Sequence, residues 1–156
     1  MTPAEFEFVA QLLKRRSGLV VSTDKLYLLE SRLGPIARKH GLAGLPAIAA
    51  KLKAGDEPLA REVTEAMTTN ESFFFRDKTP FDHFEKLMLP AMLKARIGSK
   101  RLRIWCAAAS TGQEPYSLGM ILREKQALLK DWRIEIIGTD LSSEVLTRAK
   151  SGIYSQ

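Results

Sequence analysis

Trp105-Cys106-Ala107-Ala108-Ala109-Ser110-Thr111-Gly112-Gln113-Glu114-Pro115-Tyr116-Ser117-Leu118 is the stretch that decides the fold. It follows an apolar run, Leu102 to Trp105, that reads as a buried strand, and it leads into a helical pattern. A turn of small residues between strand and helix lets backbone approach a ligand closely, and the helix N-terminus presents unpaired N–H groups. A second strand, Ile134 to Gly138, ends in Thr139-Asp140. An acidic residue after the second strand of a β-α-β unit is where such folds hold a ribose diol. These features together predict the opening of a nucleoside-cofactor site. The loop lacks Gly-x-Gly-x-x-Gly, because alanines stand at the first glycine positions, so the dinucleotide fingerprint is not met.

Strand (Leu102 to Ala107), helix (Pro115 to about Leu129), strand (Arg133 to Gly138) and a helix capped by Ser142 and stopped by Gly152 predict a parallel sheet with a crossover helix. Two strands make no stable doubly wound sheet, so the chain reads as a fragment or as one whose missing strands come from elsewhere. Upstream of the strands the pattern is helical. Thr2-Pro3-Ala4-Glu5 is a capping box followed by an apolar face of Phe6, Val9, Leu12 and Leu13, with Gly18 as the stop. Leu26, Leu29, Leu33 and Ile36 repeat at helical spacing, and Gly34-Pro35 predicts a kink or a division there. A short helix over Leu45 to Lys53 and an Asp56-capped helix with Leu59, Val63 and Met67 inward complete this part.

Thr68 to Asp77 has no clean period and reads as a linker, with at least two of Phe73, Phe74 and Phe75 in the core. An Arg76 buried there would need a carboxylate partner. Thr79-Pro80-Phe81-Asp82 opens another helix with Phe81, Phe84, Leu87 and Met88 as its face, broken up later by Pro90 and Gly98.

The 156 residues carry a net charge of +6, with basic groups between Lys14 and Lys39 and between Lys86 and Arg103. Such groups suit acidic partners or a solvated helix face. No run approaches the roughly 18 apolar residues that span a bilayer. The N-terminus lacks the charged and apolar regions of a signal peptide. The single cysteine, Cys106, reads as a packed reduced thiol, and with these features it points to the cytoplasm. His40 and His83 have no partner at metal-ligand spacing, so no metal site is expected, and no Ser-His-Asp or Cys-His arrangement is present. Taken alone, Glu114 is equally a helix-start charge and Asp140 equally a turn or N-cap residue.

Four segments then carry a resemblance: Thr68 to Asp77, Ile104 to Ser117, Thr139-Asp140-Leu141-Ser142-Ser143-Glu144-Val145-Leu146, and Ala149-Lys150-Ser151-Gly152-Ile153-Tyr154. In this order and spacing the sequence resembles the CheR family, the chemotaxis-receptor glutamate O-methyltransferases. The resemblance implies a small all-helical N-terminal domain (1–67), a linker that contributes to the cofactor site (68–78), and the first half of a Rossmann-like S-adenosylmethionine-dependent methyltransferase domain (79–156). It implies that Asn70, Ser72, Arg76, Glu114 and Asp140 contact S-adenosyl-L-methionine, whose spent form is S-adenosyl-L-homocysteine, with Asp140 suited to the ribose hydroxyls. Ser72 stands where the family more often has threonine, and Gln113 where it commonly has glutamate.

Arg76 is the candidate catalytic residue, holding either the cofactor's methionyl carboxylate or the substrate glutamate. The implied partner is a cytoplasmic receptor helix, docked by the basic N-terminal helices. Neither nucleic-acid binding nor membrane insertion is expected. Because the family's remaining strands and β-subdomain do not follow, the chain is expected to be incompetent alone. A non-catalytic docking or regulatory module, dimeric through edge pairing, is the alternative.

Overall fold

The computed structural model describes residues 1–155, which divide into two compact units, the first ending at Thr69 and the second beginning at Asn70. In the first unit, α1 (Pro3–Ser17) starts as its sequence dictates: Thr2 Oγ1 accepts from the Glu5 N–H while the Glu5 carboxylate accepts from the Thr2 N–H. Gly18, at φ 75°, ends it in a left-handed conformation that costs glycine nothing. A 3₁₀ turn (Thr23–Lys25) leads into α2 (Leu26–Lys39), then α3 (Leu45–Lys53) and α4 (Glu57–Ala66).

Asp56 caps α4, accepting from the Leu59 N–H at 3.0 Å. Val9, Leu13, Leu29, Leu33, Ile48 and Val63 are fully buried together and form this unit's core. The guanidinium of Arg32 takes up the carbonyls of Ala66 and Thr68 just beyond α4, and Arg16 forks onto Glu57 at 2.9 and 2.5 Å.

Pro35 does not divide α2, which runs through it. Leu29, Leu33, Ile36 and Ala37 are buried on both sides of Pro35. Continuous burial of one face offsets the single backbone hydrogen bond that proline removes.

The second unit opens with Asn70 to Lys78 in irregular backbone, then α5 (Thr79–His83), a π-helical turn (Phe84–Met88) and α6 (Leu89–Ala95). This region departs from the expected helical face: Phe81, Phe84 and Leu89 are buried, whereas Leu87 and Met88 are exposed. The cause is the π turn, in which the Leu89 N–H donates five residues back to Phe84. The extra residue re-phases the face just before Pro90, which has no N–H to give.

The three consecutive phenylalanines also fail to enter the core. Phe73 and Phe75 are exposed and Phe74 is half-buried. With Phe75 at φ 53° the rings fan apart, Phe74 edge-on to Tyr154 at 4.9 Å and Phe75 edge-on to Phe81 at 5.4 Å.

The strands β1 (Arg101–Ala107) and β2 (Arg133–Thr139) pair in parallel through the crossover helix α7 (Gln113–Glu124), and α8 (Ser143–Ser151) follows. α7 is shorter than its apolar pattern suggested, passing into turns after Glu124. Leu102, Ile104 and Cys106 alternate with Arg101, Arg103 and Trp105, and Ile134 and Ile136 match them across the register. The first set packs with Phe81, Leu118 and Ile121 in the second core. Trp105 lies on the opposite face, 69% exposed, so the strand is buried on one side only. It donates its indole N–H to Thr139 Oγ1 at 2.9 Å.

Candidate cofactor site

Backbone hydrogen bonding extends past the C-terminal ends of the paired strands, because the Ala109 N–H donates to the Thr139 carbonyl at 2.9 Å. Gly138 suits this approach: a Cβ there would stand a tight 3.0 Å from the Ala109 methyl. The loop from Ala107 to Gly112 then turns sharply, with Ala108 at φ 57°, Ser110 at φ 49° and Gly112 at φ 98°. For alanine and serine this region costs roughly 1–2 kcal/mol per residue. The cost is offset by what the turn brings together.

The Ser110 N–H donates to Asp140 Oδ2 at 2.8 Å, and the Ser142 N–H donates to Asp140 Oδ1 at 2.9 Å. Ser110 Oγ donates to the Asn70 carbonyl at 2.9 Å. One continuous chain of hydrogen bonds therefore joins the linker, the loop after β1 and the end of β2. Ser142 occupies the N-cap position of α8 but makes no side-chain cap bond; Asp140 holds its backbone instead.

The linker is fixed at a second point on α7. The Phe75 N–H donates to Ser117 Oγ at 3.0 Å, and that hydroxyl donates to the Gln113 carbonyl at 2.7 Å. Ser117 is fully buried. After α8 the chain returns to the loop, where the Tyr154 hydroxyl donates to the Thr111 carbonyl at 2.7 Å. Tyr154 also stands edge-on to Phe74 and to Tyr116, and desolvation followed by Tyr116 pushes its phenol above the ordinary value.

Of the five residues named from sequence, the structure joins Asn70 and Asp140 through Ser110. Glu114 lies exposed in the first turn of α7. Its carboxylate reaches back to the buried Cys106, where burial, then the Glu114 charge, then a hydrogen bond to Glu114 push the thiol up to about 11. Cys106 is thus a protonated packing group at neutral pH and no nucleophile.

Ser72 is half-buried in the linker. Arg76 is not gathered with the others. It is exposed, donates to the Glu71 carbonyl at 2.9 Å, stands 3.8 Å from the Asp77 carboxylate and covers the Phe73 ring at 5.5 Å. The buried ion pair that a buried arginine would require is therefore not formed. Three structural contributors escape a reading of residue types: Ser110, Ser117 and Tyr154. The shared signal was their place in the small-residue loop, in α7 and after Gly152. Their partners lie 40, 42 and 43 residues away.

The Asp140 carboxylate has the chemistry to take a pair of ligand hydroxyls, as the ribose of an adenosyl cofactor offers. Each Asp140 oxygen already accepts one backbone N–H, and a carboxylate has about four lone-pair sites, so each oxygen retains a position for a ligand hydroxyl. The two backbone donors hold that carboxylate in one orientation. Among the described residues no group of three or more His, Cys, Asp or Glu is placed to hold a metal ion. No helix among them is long and apolar enough to cross a membrane.

Comparison with known proteins gives two adjoining matches. Residues 4–68 match the CheR methyltransferase all-alpha domain, and residues 70–156 match the CheR methyltransferase SAM binding domain. Chemotaxis protein methyltransferase 1 of Pseudomonas aeruginosa is 40% identical over 154 residues, covering 97% of this chain and 56% of its own length. The chemotaxis protein methyltransferase of Vibrio parahaemolyticus is 35% identical (96% and 54%), and that of Salmonella typhimurium 32% identical (99% and 51%). The chain spans about half the length of the curated relatives it matches. With both family domains matched end to end along its helical and β-α-β units, the chain belongs to the CheR methyltransferase family.

Proposed function

We propose that this chain provides the receptor-docking helices and the first half of the cofactor site of an enzyme that methylates glutamate side chains on chemotaxis receptors, forming methyl esters. The observation that carries the reading is the Asn70–Ser110–Asp140–Ser142 hydrogen-bond chain at the ends of β1 and β2, inside the residues matched to a SAM binding domain. The proposal divides the chain at 1–67, 68–78 and 79–156, the middle segment being the linker that lends residues to the cofactor site.

Asp140 would receive the ribose hydroxyls, and Glu114, Asn70 and Ser72 would line the same site. Arg76 would hold a carboxylate, that of the methionyl group or that of the substrate; its exposed position in the linker leaves its guanidinium accessible to either. When bound, the cofactor supplies a sulfonium methyl group for transfer to a carboxylate oxygen, leaving S-adenosyl-L-homocysteine. A glutamate side chain is ionised at neutral pH, with a reference pKa of about 4.3, so no general base is required. The protein's task reduces to alignment and exclusion of water. The basic residues of the helical unit, among them Lys14, Arg15, Lys25 and Arg38, suit an acidic receptor helix. A cytoplasmic location follows from that partner.

The chain by itself is expected to bind cofactor weakly or not at all, because the ends of two strands supply only part of a site. Calorimetry showing micromolar S-adenosylmethionine binding by a monomer of these 156 residues would contradict this. The direct test measures tritiated methyl transfer to receptor-enriched membranes, by this chain and by this chain joined to the C-terminal half of the Pseudomonas aeruginosa relative. Alkali-labile label formed only by the joined protein, and lost with Asp140→Ala, supports the reading. A joined, folded protein that forms no alkali-labile label refutes it.

A further inference from the structure

The opposite end of the sheet carries a second concentration of charge. Parallel register sets Arg101 beside Arg133, and two residues on sets Arg103 beside Glu135. All four lie on the face turned away from the core, by the alternation that buries Leu102 and packs Ile134. Glu135 is taken by Arg103 at 2.7 Å. The nearby Asp131 is taken by Lys100 at 3.2 Å. Arg101 and Arg133 therefore face each other as like charges, an arrangement that disfavours the pairing.

Arg96, just beyond α6, joins them. Arg96, Arg101 and Arg133 line one cavity of about 390 Å³ together with Met92 and the Arg103–Glu135 pair, and the single carboxylate on its wall is already engaged. Three guanidinium groups lining one cavity, none of them in an ion pair among the described residues, supply planar donor forks of the kind that match the oxygens of a phosphate group.

We propose that this cavity binds an oxyanion of the phosphate class, held by Arg96, Arg101 and Arg133. The site is independent of the cofactor site: the seven residues of β1 separate the two ends of the sheet by about 20 Å. An anion there removes the Arg101–Arg133 repulsion and stabilises the start of the strand pair.

The test is isothermal calorimetry of this chain with sodium pyrophosphate at low salt. Saturable one-to-one binding is expected, weakened by added sodium chloride as exposed charges are screened. Arg133→Gln and Arg101→Gln should each weaken it roughly tenfold or more, and Arg101→Lys, which keeps the charge and loses the fork, should weaken it less. Arg61→Gln, a change of the same charge on α4, should leave it unchanged. In the protein joined to the C-terminal half of the Pseudomonas aeruginosa relative, which holds the whole cofactor site, saturating S-adenosyl-L-homocysteine should not displace the pyrophosphate, and this separates the site from the one proposed above. Tryptophan fluorescence establishes that each variant is folded. The inference is overturned by absence of saturable heat, by an equal loss in Arg61→Gln, or by displacement with S-adenosyl-L-homocysteine.

Discussion

Replacing Asp140 tests whether its carboxylate is a structural fastener, apart from the ligand role proposed for it. Both oxygens accept backbone N–H groups, from Ser110 at 2.8 Å and from Ser142 at 2.9 Å, and both serines are buried. Hydrogen bonds to a charged group contribute about 1.5–3 kcal/mol each, and buried donors left without a partner lose most of that. Two such bonds set a ceiling of about 6 kcal/mol. Asp140 is partly exposed, so water can replace some of the lost acceptors, and Asp140→Ala is expected to cost about 3 kcal/mol.

Asp140→Asn is the sharper probe. Its amide has one oxygen, so one backbone donor keeps its partner while the other faces an NH₂ group, and about 1.5–3 kcal/mol should be lost. The assay is urea unfolding followed by tryptophan fluorescence. Trp105 and Trp132, the only tryptophans, both lie in the second unit, so the signal reports that unit alone. With a denaturant slope of about 1.5 kcal/mol/M, the midpoint should fall by about 2 M for alanine and by about 1–2 M for asparagine. An Asp140→Asn midpoint equal to the wild type would refute the reasoning, because it would mean that the carboxylate does not fasten both loops. The same comparison guards the cofactor prediction: a folded Asp140 variant of the joined protein should bind S-adenosylmethionine more weakly by roughly 1–3 kcal/mol.

Gly112→Ala should destabilise the second unit by about 2–5 kcal/mol, the sum of a left-handed alanine and an overpacked contact. The new Cβ would stand 2.8 Å from the Tyr154 hydroxyl and 2.9 Å from the Ala149 methyl; an unshifted urea midpoint would show that Tyr154 does not close over the loop. In the helical unit, hydrogen bonds from Lys39 and His40 hold the Glu62 carboxyl below the usual glutamate range. A depressed folded-state value stabilises the fold above the unfolded value of about 4.3 and is lost as pH falls through the folded one. Hydrogen exchange at Ile36 and Val63 should therefore separate Glu62→Gln from wild type at pH 6–7, and the difference should vanish well below about pH 4; a difference independent of pH would count against the ion pair.

The local rules of the sequence were sufficient for a large part of this protein. The Thr2–Glu5 box, the Asp56 cap, the Gly18 stop and the helical spacing of Phe6 to Leu13 each involve residues within a few positions, where backbone geometry leaves few choices. The alternation of strand and helix, and the acidic residue after the second strand, identified the half of the chain that holds the candidate site. Only the tertiary structure decided which groups meet there. Asp140 serves backbone donors across 30 residues, Asn70 takes part through its carbonyl as acceptor for Ser110, and Tyr154 reaches across 43.

The same distinction explains what the sequence missed. The π turn re-phased Leu87 and Met88 outward because the buried partners of Phe84 and Leu89 lie on other elements. Phe73 to Phe75 spread over the surface because left-handed backbone at Phe75 sends successive rings apart. Arg101 and Arg133 became neighbours because the strand register set them so. Periodicity constrains which face of an element is apolar, while register and turn handedness depend on residues tens of positions away, so they exist as facts only once the chain has closed on itself.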